Sequence, residues 1–455
     1  DDTILGSQGG DTVLGGDGND FIFGDNGDDL ALMGAGDDVF QWNPGDGNDT
    51  LEGQDGTDTM LFFGANISET INIVANGGRV LFLRDVANVT MDLNDVETIE
   101  FRALGGADSI TLGDLSGTDA TRIDLDLRGP GGSGDGAADT VTVNATNGGD
   151  VFGVTGDVGG ITVFGLPAQV NLFFSEALND TLVLNGLGGD DVINASSLEA
   201  GAIKLSMNGG LGNDLFVGSE GGDLFNGGDG DDVALMGAGD DTFVWNPGDD
   251  NDTLEGQDGT DTMLFNGANV GEVIDISANG GRVIFFRNIA SVVMDLNDME
   301  KIDFHALGGA DSIVVNDLSG TDVTTASVDL AAAGGGDDAA ADTVTVQGTN
   351  GDDVILIVGG NGFVQVFGLS AEVQILNYGA GDRLVINGLG GDDVIEASGL
   401  DAGLLLVANG GDGDDVLIGG AGDDILNGDA GDDVLIGGAG LDLLNGGTGS
   451  NILIQ

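Results

Sequence analysis

The chain has 455 residues with 79 acidic and 10 basic side chains, a formal net charge of −69. That excess repels nucleic acid and anionic membrane and opposes compaction unless cations neutralise it. Yet 40% of the residues are hydrophobic, 20 of them Phe, so the chain escapes the composition of an acidic disordered polymer and can bury a sizeable core.

Glycine supplies 88 residues, proline 4 and cysteine none. No three-residue glycine period is present, which excludes collagen. Without cysteine there is no disulfide or thiol chemistry, which suits an extracellular bacterial protein stabilised by other means. No apolar run approaches the ~20 residues of a membrane span. The start, Asp1-Asp2-Thr3, has no signal-peptide character and falls inside the repeat pattern, as does the other end; a processed or trimmed start is expected.

From residue 1 to 64 the sequence repeats every nine residues: GSQGGDTVL from Gly6, then GGDGNDFIF, GDNGDDLAL and MGAGDDVFQ. The sixth position is Asp11, Asp20, Asp29 and Asp38, preceded by Asp2; the eighth is Val13, Ile22, Ala31 and Phe40, preceded by Ile4. An insertion in WNPGDGNDTLE moves the phase to Asp49, and GQDGTDTML restores it at Asp58. Residues 65–207 then read as short alternating strands such as TINIVA, RVLFLR, VTMDL and DTVTV, punctuated by Gly, Asn and Asp. Several strands open with an aspartate after a glycine-rich turn (Asp108, Asp191, Asp311, Asp393) and look like degenerate nonapeptides. No convincing amphipathic helix appears.

The pattern then recurs. DVALMGAGDDTFVWNPGDDNDTLEGQDGTDTMLF from Asp232 answers the segment from Asp29, 203 residues earlier. Residues 208–266 carry Asp214, Asp223, Asp232, Asp241, Asp252 and Asp261; residues 267–408 repeat the strand-rich stretch; residues 409–455 add Asp415, Asp424, Asp433 and Asp442, with Asn451 at the last sixth position. A module of about two hundred residues is duplicated in tandem, with a third nonapeptide run after it.

Six turn residues leave three for a strand, so two units make one flat coil, and coils stack as parallel strands over the eighth-position apolar residues. Alternate aspartates then share an edge: Asp2, Asp20 and Asp38 on one, Asp11 and Asp29 on the other. Stacked carboxylates repel, and carbonyls of open glycine turns lack partners. Calcium answers both, since it takes six to eight oxygen ligands in irregular geometry. Zinc prefers nitrogen or sulfur, and the chain has one His. The sixth-position aspartates are therefore candidate ligands for on the order of ten calcium ions.

GGDGNDFIF at Gly15, GGDGDDVAL at Gly227 and GGDGDDVLI at Gly410 resemble the G-G-x-G-x-D-x-U-x nonapeptide of RTX (repeats-in-toxin) proteins. The resemblance implies an all-β fold, a calcium-stabilised right-handed parallel β-roll or β-solenoid, and type I secretion to the exterior or cell surface. The intervening stretches are expected to continue the solenoid with wider coils, a separate sandwich being the alternative.

Trp42 and Trp245, in the twin WNPGD segments, read as plugs at a widened turn rather than a carbohydrate platform. Arg79, Arg84, Arg282 and Arg287 read as offsets to acidic charge. His305 is lone, its twin being Arg102, so no Ser-His-Asp chemistry is expected. A glycosidase carboxylate pair is not excluded by composition, but nothing marks one. The expectation is a non-enzymatic, secreted structural protein that self-associates into fibres or a surface array; the alternative is the carrier module of an RTX enzyme or toxin. Phe21 and Phe23, flanking inward Ile22, are expected to point outward and serve lateral contacts.

Overall fold

The computed structural model describes residues 1–455. They form two compact units, residues 1–226 with 236–239, and residues 227–235 with 240–455. Each is a parallel β-roll with two sheet faces; the sole helical turn is the 3-10 segment Val86–Asn88.

In the first unit the nonapeptide dictates strands of three to six residues. Strand Thr3–Leu5 pairs in parallel with Phe21–Phe23, and that with Val39–Trp42. On the other face Thr12–Asp17, Leu30–Ala35 and Thr50–Asp55 pair the same way. The register is eighteen residues, two units per coil, or twenty across the insertion. Ile22, Ala31, Phe40 and Leu51 point inward and are fully buried. Phe21 and Phe23 are half-buried, their rings 5.0 Å apart on the outer surface.

The stretches between the runs keep the roll with longer coils, the ladder stepping 31 residues from Asp108 to Asp139 and 23 from Asp191 to Asp214, and they add a second device. Each contains two three-stranded antiparallel meanders, one per face. In the first, Val89–Asn94 lies parallel to Thr50–Asp55, Arg79–Arg84 runs antiparallel beside it, and Thr70–Asn76 comes last, parallel to Ser109–Leu112. The chain steps ahead, turns back twice and fills the gap behind itself. The opposite face compensates later, where Gln169–Phe173, Gly160–Phe164 and Val151–Asp157 sit between Arg122–Asp126 and Val192–Leu198. Each face thus gains two strands and the faces stay matched. The cause is local: Asn76-Gly77-Gly78, with Gly77 at φ 68°, joins two alternating runs as a tight hairpin.

The second unit repeats this, with meanders over Val273–Asn279, Arg282–Arg287 and Val292–Asn297, and over Val354–Gly360, Phe363–Phe367 and Glu372–Leu376. No sandwich forms in either unit.

Aromatic stacks seat the first meander of each unit. Trp42 lies flat on Phe62 at 4.0 Å, and Phe82 of the hairpin packs on Phe62 at 4.4 Å. Trp245, Phe265 and Phe285 repeat the stack at 3.9 and 4.4 Å. Both indoles are fully buried, and each donates its Nε1–H across the insertion, to the carbonyls of Gly47 and Asp250. They are plugs, as their position at a widened turn implies. Arg84 and Arg287 lie over the indoles, buried and paired with Glu69 and Glu272; Arg79 bridges Glu52 and Asp92, as Arg282 bridges Glu255 and Asp295.

Candidate metal sites along the carboxylate ladders

The sixth-position aspartates stack along the edges of each roll. The N–H of Asp2 donates to Oδ1 of Asp20 (2.6 Å) and that of Asp20 to Asp38 (2.7 Å). The N–H of Asp38 continues the edge to Asp58 (2.9 Å). The other edge runs from Asp11 to Asp29 to Asp49. In the second unit Asp232 donates to Asp252, Asp241 to Asp261, Asp415 to Asp433 and Asp424 to Asp442. One oxygen of each acceptor is thus spent on the backbone of the neighbouring coil. Asp2 is exposed and Asp11 and Asp442 half-buried, whereas Asp20, Asp29, Asp38, Asp49, Asp58, Asp214, Asp223, Asp232, Asp241, Asp252, Asp261, Asp415, Asp424 and Asp433 are buried.

The second oxygen divides the turns into two kinds. In Asp20, Asp29, Asp38, Asp49 and Asp58 it is buried with no hydrogen-bond donor, as in Asp252, Asp261, Asp415, Asp433 and Asp442. Four residues before each stands a residue at positive φ: Gly16, Asp25 (63°), Gly34, Gly45 and Gln54 (78°) in the first group, and Gly248, Gln257, Gly411, Asp429 and Gly438 in the second. In Asp11 and Asp223 that earlier residue is Ser7 or Ser219, and its N–H caps the second oxygen at 2.8 and 2.6 Å. Gly420 caps Oδ2 of Asp424 likewise, leaving Oδ1 as the buried oxygen without a donor. Turning the peptide over at the second position removes the only local donor and opens the turn.

Open turns are lined by oxygen. A Cβ on Gly15 would collide with the carbonyl of Met33 and stand 3.2 Å from Oδ2 of Asp20; one on Gly53 would collide with the carbonyl of Asp95 and stand 2.5 Å from Oδ2 of Asp58. Glycine is needed there because carboxylate and carbonyl already fill the space. Asn451 reveals what the second atom faces: its Oδ1 accepts from Asp433, and its Nδ2 donates to the carbonyl of Gly446, five residues back. An aspartate at the same position sets oxygen against oxygen, which only a proton or a cation reconciles.

The electrostatics follow. Burial, opposed by the Asp29 amide and reinforced by the carboxylates of Asp29 and Asp46, pushes Asp49 up to about 7. Its twin Asp252 rises to about 9, again by burial first. Asp58, Asp261 and Asp415 rise to about 6 from the same cause. No three His, Cys, Asp or Glu side chains converge into a side-chain cluster, so a metal here would be held by one carboxylate per turn together with main-chain carbonyls. That donor set is all oxygen and irregular, as calcium accepts and zinc does not.

The ladders also take in acids outside the strict nonapeptide runs, among them Asp108 and Asp311 of the degenerate units. Glu97 accepts from Asp58, and Asp108, Asp139 and Asp180 form a ladder starting at Glu69. Asp311, Asp342 and Asp382 extend from Glu272 in the same way. The signal available for them was an acid directly before an alternating strand, as in ETINI or DTVTV.

The family model for the RTX calcium-binding nonapeptide repeat matches residues 1–31, 45–61, 208–243, 248–269, 407–435 and 419–453. Coils of paired short strands whose turns present unpaired carboxylates define a calcium-binding β-roll repeat protein. The chain carries RTX calcium-binding nonapeptide repeats over those stretches, about a third of its length. No match among curated proteins accompanies it.

Proposed function

We propose that this is a secreted structural protein whose rolls fold on extracellular calcium, and that it serves as a filament, surface-layer, matrix or adhesin component. The observation that carries the calcium-gated part is the series of buried carboxylate oxygens without donors in carbonyl-lined turns. At cytosolic calcium levels those ionised groups oppose folding and keep the chain exportable. At the ~10⁻⁴–10⁻³ M affinities of extracellular calcium modules, binding supplies the missing partner and drives coil formation. The near-copy modules support a structural rather than catalytic role, because repetition extends length without creating a distinct active centre. Phe21 and Phe23, paired on the outer surface, are candidates for lateral contacts.

Far-UV circular dichroism and electron microscopy, each with calcium and with EGTA, test this. Calcium-dependent strand signal together with calcium-dependent fibres or arrays supports it. Calcium-dependent folding into monodisperse monomers that cleave a polysaccharide removes the structural role and leaves the calcium role standing.

A further inference from the structure

We propose that two turns outside the matched repeats, Gly186–Asp191 and Gly388–Asp393, are additional calcium sites; the proposal rests on the calcium reading of the ladders. Both read GLGGDD, with leucine where the nonapeptide has its second glycine, and both lie outside every matched stretch.

Their geometry is that of the open turns. Asp191 and Asp393 are each 1% exposed, and Oδ2 of each has no hydrogen-bond partner. Oδ1 is spent on the ladder: Asp191 accepts from the N–H of Asp150 (2.6 Å) and Asp393 from that of Asp353 (2.8 Å). A Cβ on Gly186 would collide with Oδ2 of Asp191 and stand 2.6 Å from the carbonyl of Gly209; on Gly388 it would collide with Oδ2 of Asp393 and stand 2.5 Å from the carbonyl of Gly410. A buried anionic oxygen and a carbonyl from the next coil therefore crowd one point, as at Asp20 and Asp58.

The leucines supply an independent observation. Leu187 and Leu389 sit at φ 75° and 81°, the left-handed region that a branched side chain enters at a cost of roughly 1–2 kcal/mol. Their side chains are 38% and 43% exposed, so packing gives little in return. The neighbouring ladder members show the cheaper arrangement: Thr146 and Thr349 hold the same position before Asp150 and Asp353, without positive φ, and their N–H groups cap Oδ2 at 2.8 and 2.6 Å. Each unit thus sets a capped turn beside a strained open one. The strain leaves a carboxylate oxygen without a donor, an arrangement with no benefit unless a cation takes it. The turns before Asp108 and Asp311 are open too, with Leu104 and Leu307 at positive φ, but carry Ala103 and Ala306 in place of the first glycine and are left out of the proposal.

The test counts bound calcium by atomic emission after equilibrium dialysis of the full chain. Asp191→Asn and Asp393→Asn are each expected to bind one ion fewer, and the double variant two fewer. Asp38→Asn is the repeat control and loses one, and Asp150→Asn, in a capped turn, loses none. Asparagine is suited to the place, since Asn451 fills it with its Nδ2 on a carbonyl, and strand signal in saturating calcium verifies folding. Loss at Asp38→Asn with no loss at Asp191→Asn or Asp393→Asn overturns this proposal alone; no calcium on the unsubstituted chain overturns the ladder reading itself. Should a variant fail to fold, calcium anomalous scattering from crystals of the unsubstituted protein decides: a peak between Oδ2 of Asp191 and the carbonyl of Gly209 supports the site, and its absence beside occupied repeat turns refutes it.

Discussion

Replacing Asp49 by asparagine should stabilise the roll without calcium and weaken its response to calcium. Asp49 is 1% exposed, its Oδ1 accepts from Asp29 and its Oδ2 has no donor. Burial places its ionisation near pH 7 rather than 3.8. Each pH unit of that displacement is worth about 1.4 kcal/mol, so holding the ionised group inside the calcium-free coil costs about 4 kcal/mol above pH 7. That is a large share of the ~5–15 kcal/mol that holds a typical domain together. Asparagine keeps the Oδ1 acceptor and, as at Asn451, offers Nδ2 to a turn carbonyl. Urea titrations of Asp49→Asn and the parent in calcium-free buffer at pH 8 should show the variant more stable by a few kcal/mol. In saturating calcium the order should shrink or invert, because one cation site is gone. A variant less stable than the parent without calcium would refute the reasoning, since it would mean that the carboxylate is not an electrostatic burden.

Acid should partly replace calcium. The carboxyls of Asp49, Asp252 and Asp311 have folded values of about 7, 9 and 7, above their unfolded value. Their contribution to the calcium-free fold is therefore complete below about pH 4 and lost as pH rises through 7 to 9; strand signal in calcium-free buffer should grow from pH 8 to pH 5, above the pI of about 4.1, and the calcium concentration for half-folding should rise as pH rises, because the protonated calcium-free fold no longer contributes. Arg84→Ala leaves Glu69 buried and unpaired and should cost about 3–5 kcal/mol, with Glu69→Gln in the same background restoring part of it in thermal melts. Trp42→Ala removes the plug stacked on Phe62 and should cost about 3–5 kcal/mol in urea titrations. Gly53→Ala forces a methyl into the Asp95 carbonyl and should lower calcium affinity in calorimetry more than Gly77→Ala, where a methyl meets open space.

Much of this was legible because the repeat is strict. A nine-residue period fixes which aspartates share an edge and which residue enters the core, and Ile22, Phe40 and the Asp2–Asp20–Asp38 edge lie where it puts them. The twin tryptophans were legible as plugs because an insertion widens the coil beside them. The meanders were not read, although Asn76-Gly77-Gly78 between two alternating runs carries the hairpin signal; the expectation of stacked parallel coils overrode a local turn preference. The division into open and capped turns was less accessible. Leu187 and Thr146 occupy the same position before a ladder aspartate, and only the backbone shows that one is at positive φ and the other donates to the carboxylate. Glu69 and Glu97 also escaped a search for aspartate at a fixed period: the Glu97 carboxylate accepts from the N–H of Asp58, and Glu69 joins the ladder through its own N–H on Asp108.

Locating calcium in crystals by its anomalous scattering tests the central claim most directly. The account predicts ions in the open turns, against Oδ2 of Asp20, Asp29, Asp38, Asp58, Asp261, Asp415 and Asp433, and none at the capped carboxylates of Asp11 and Asp223. Ions bound only to the outer surface carboxylates, with the buried oxygens protonated or bridged by water, would contradict it.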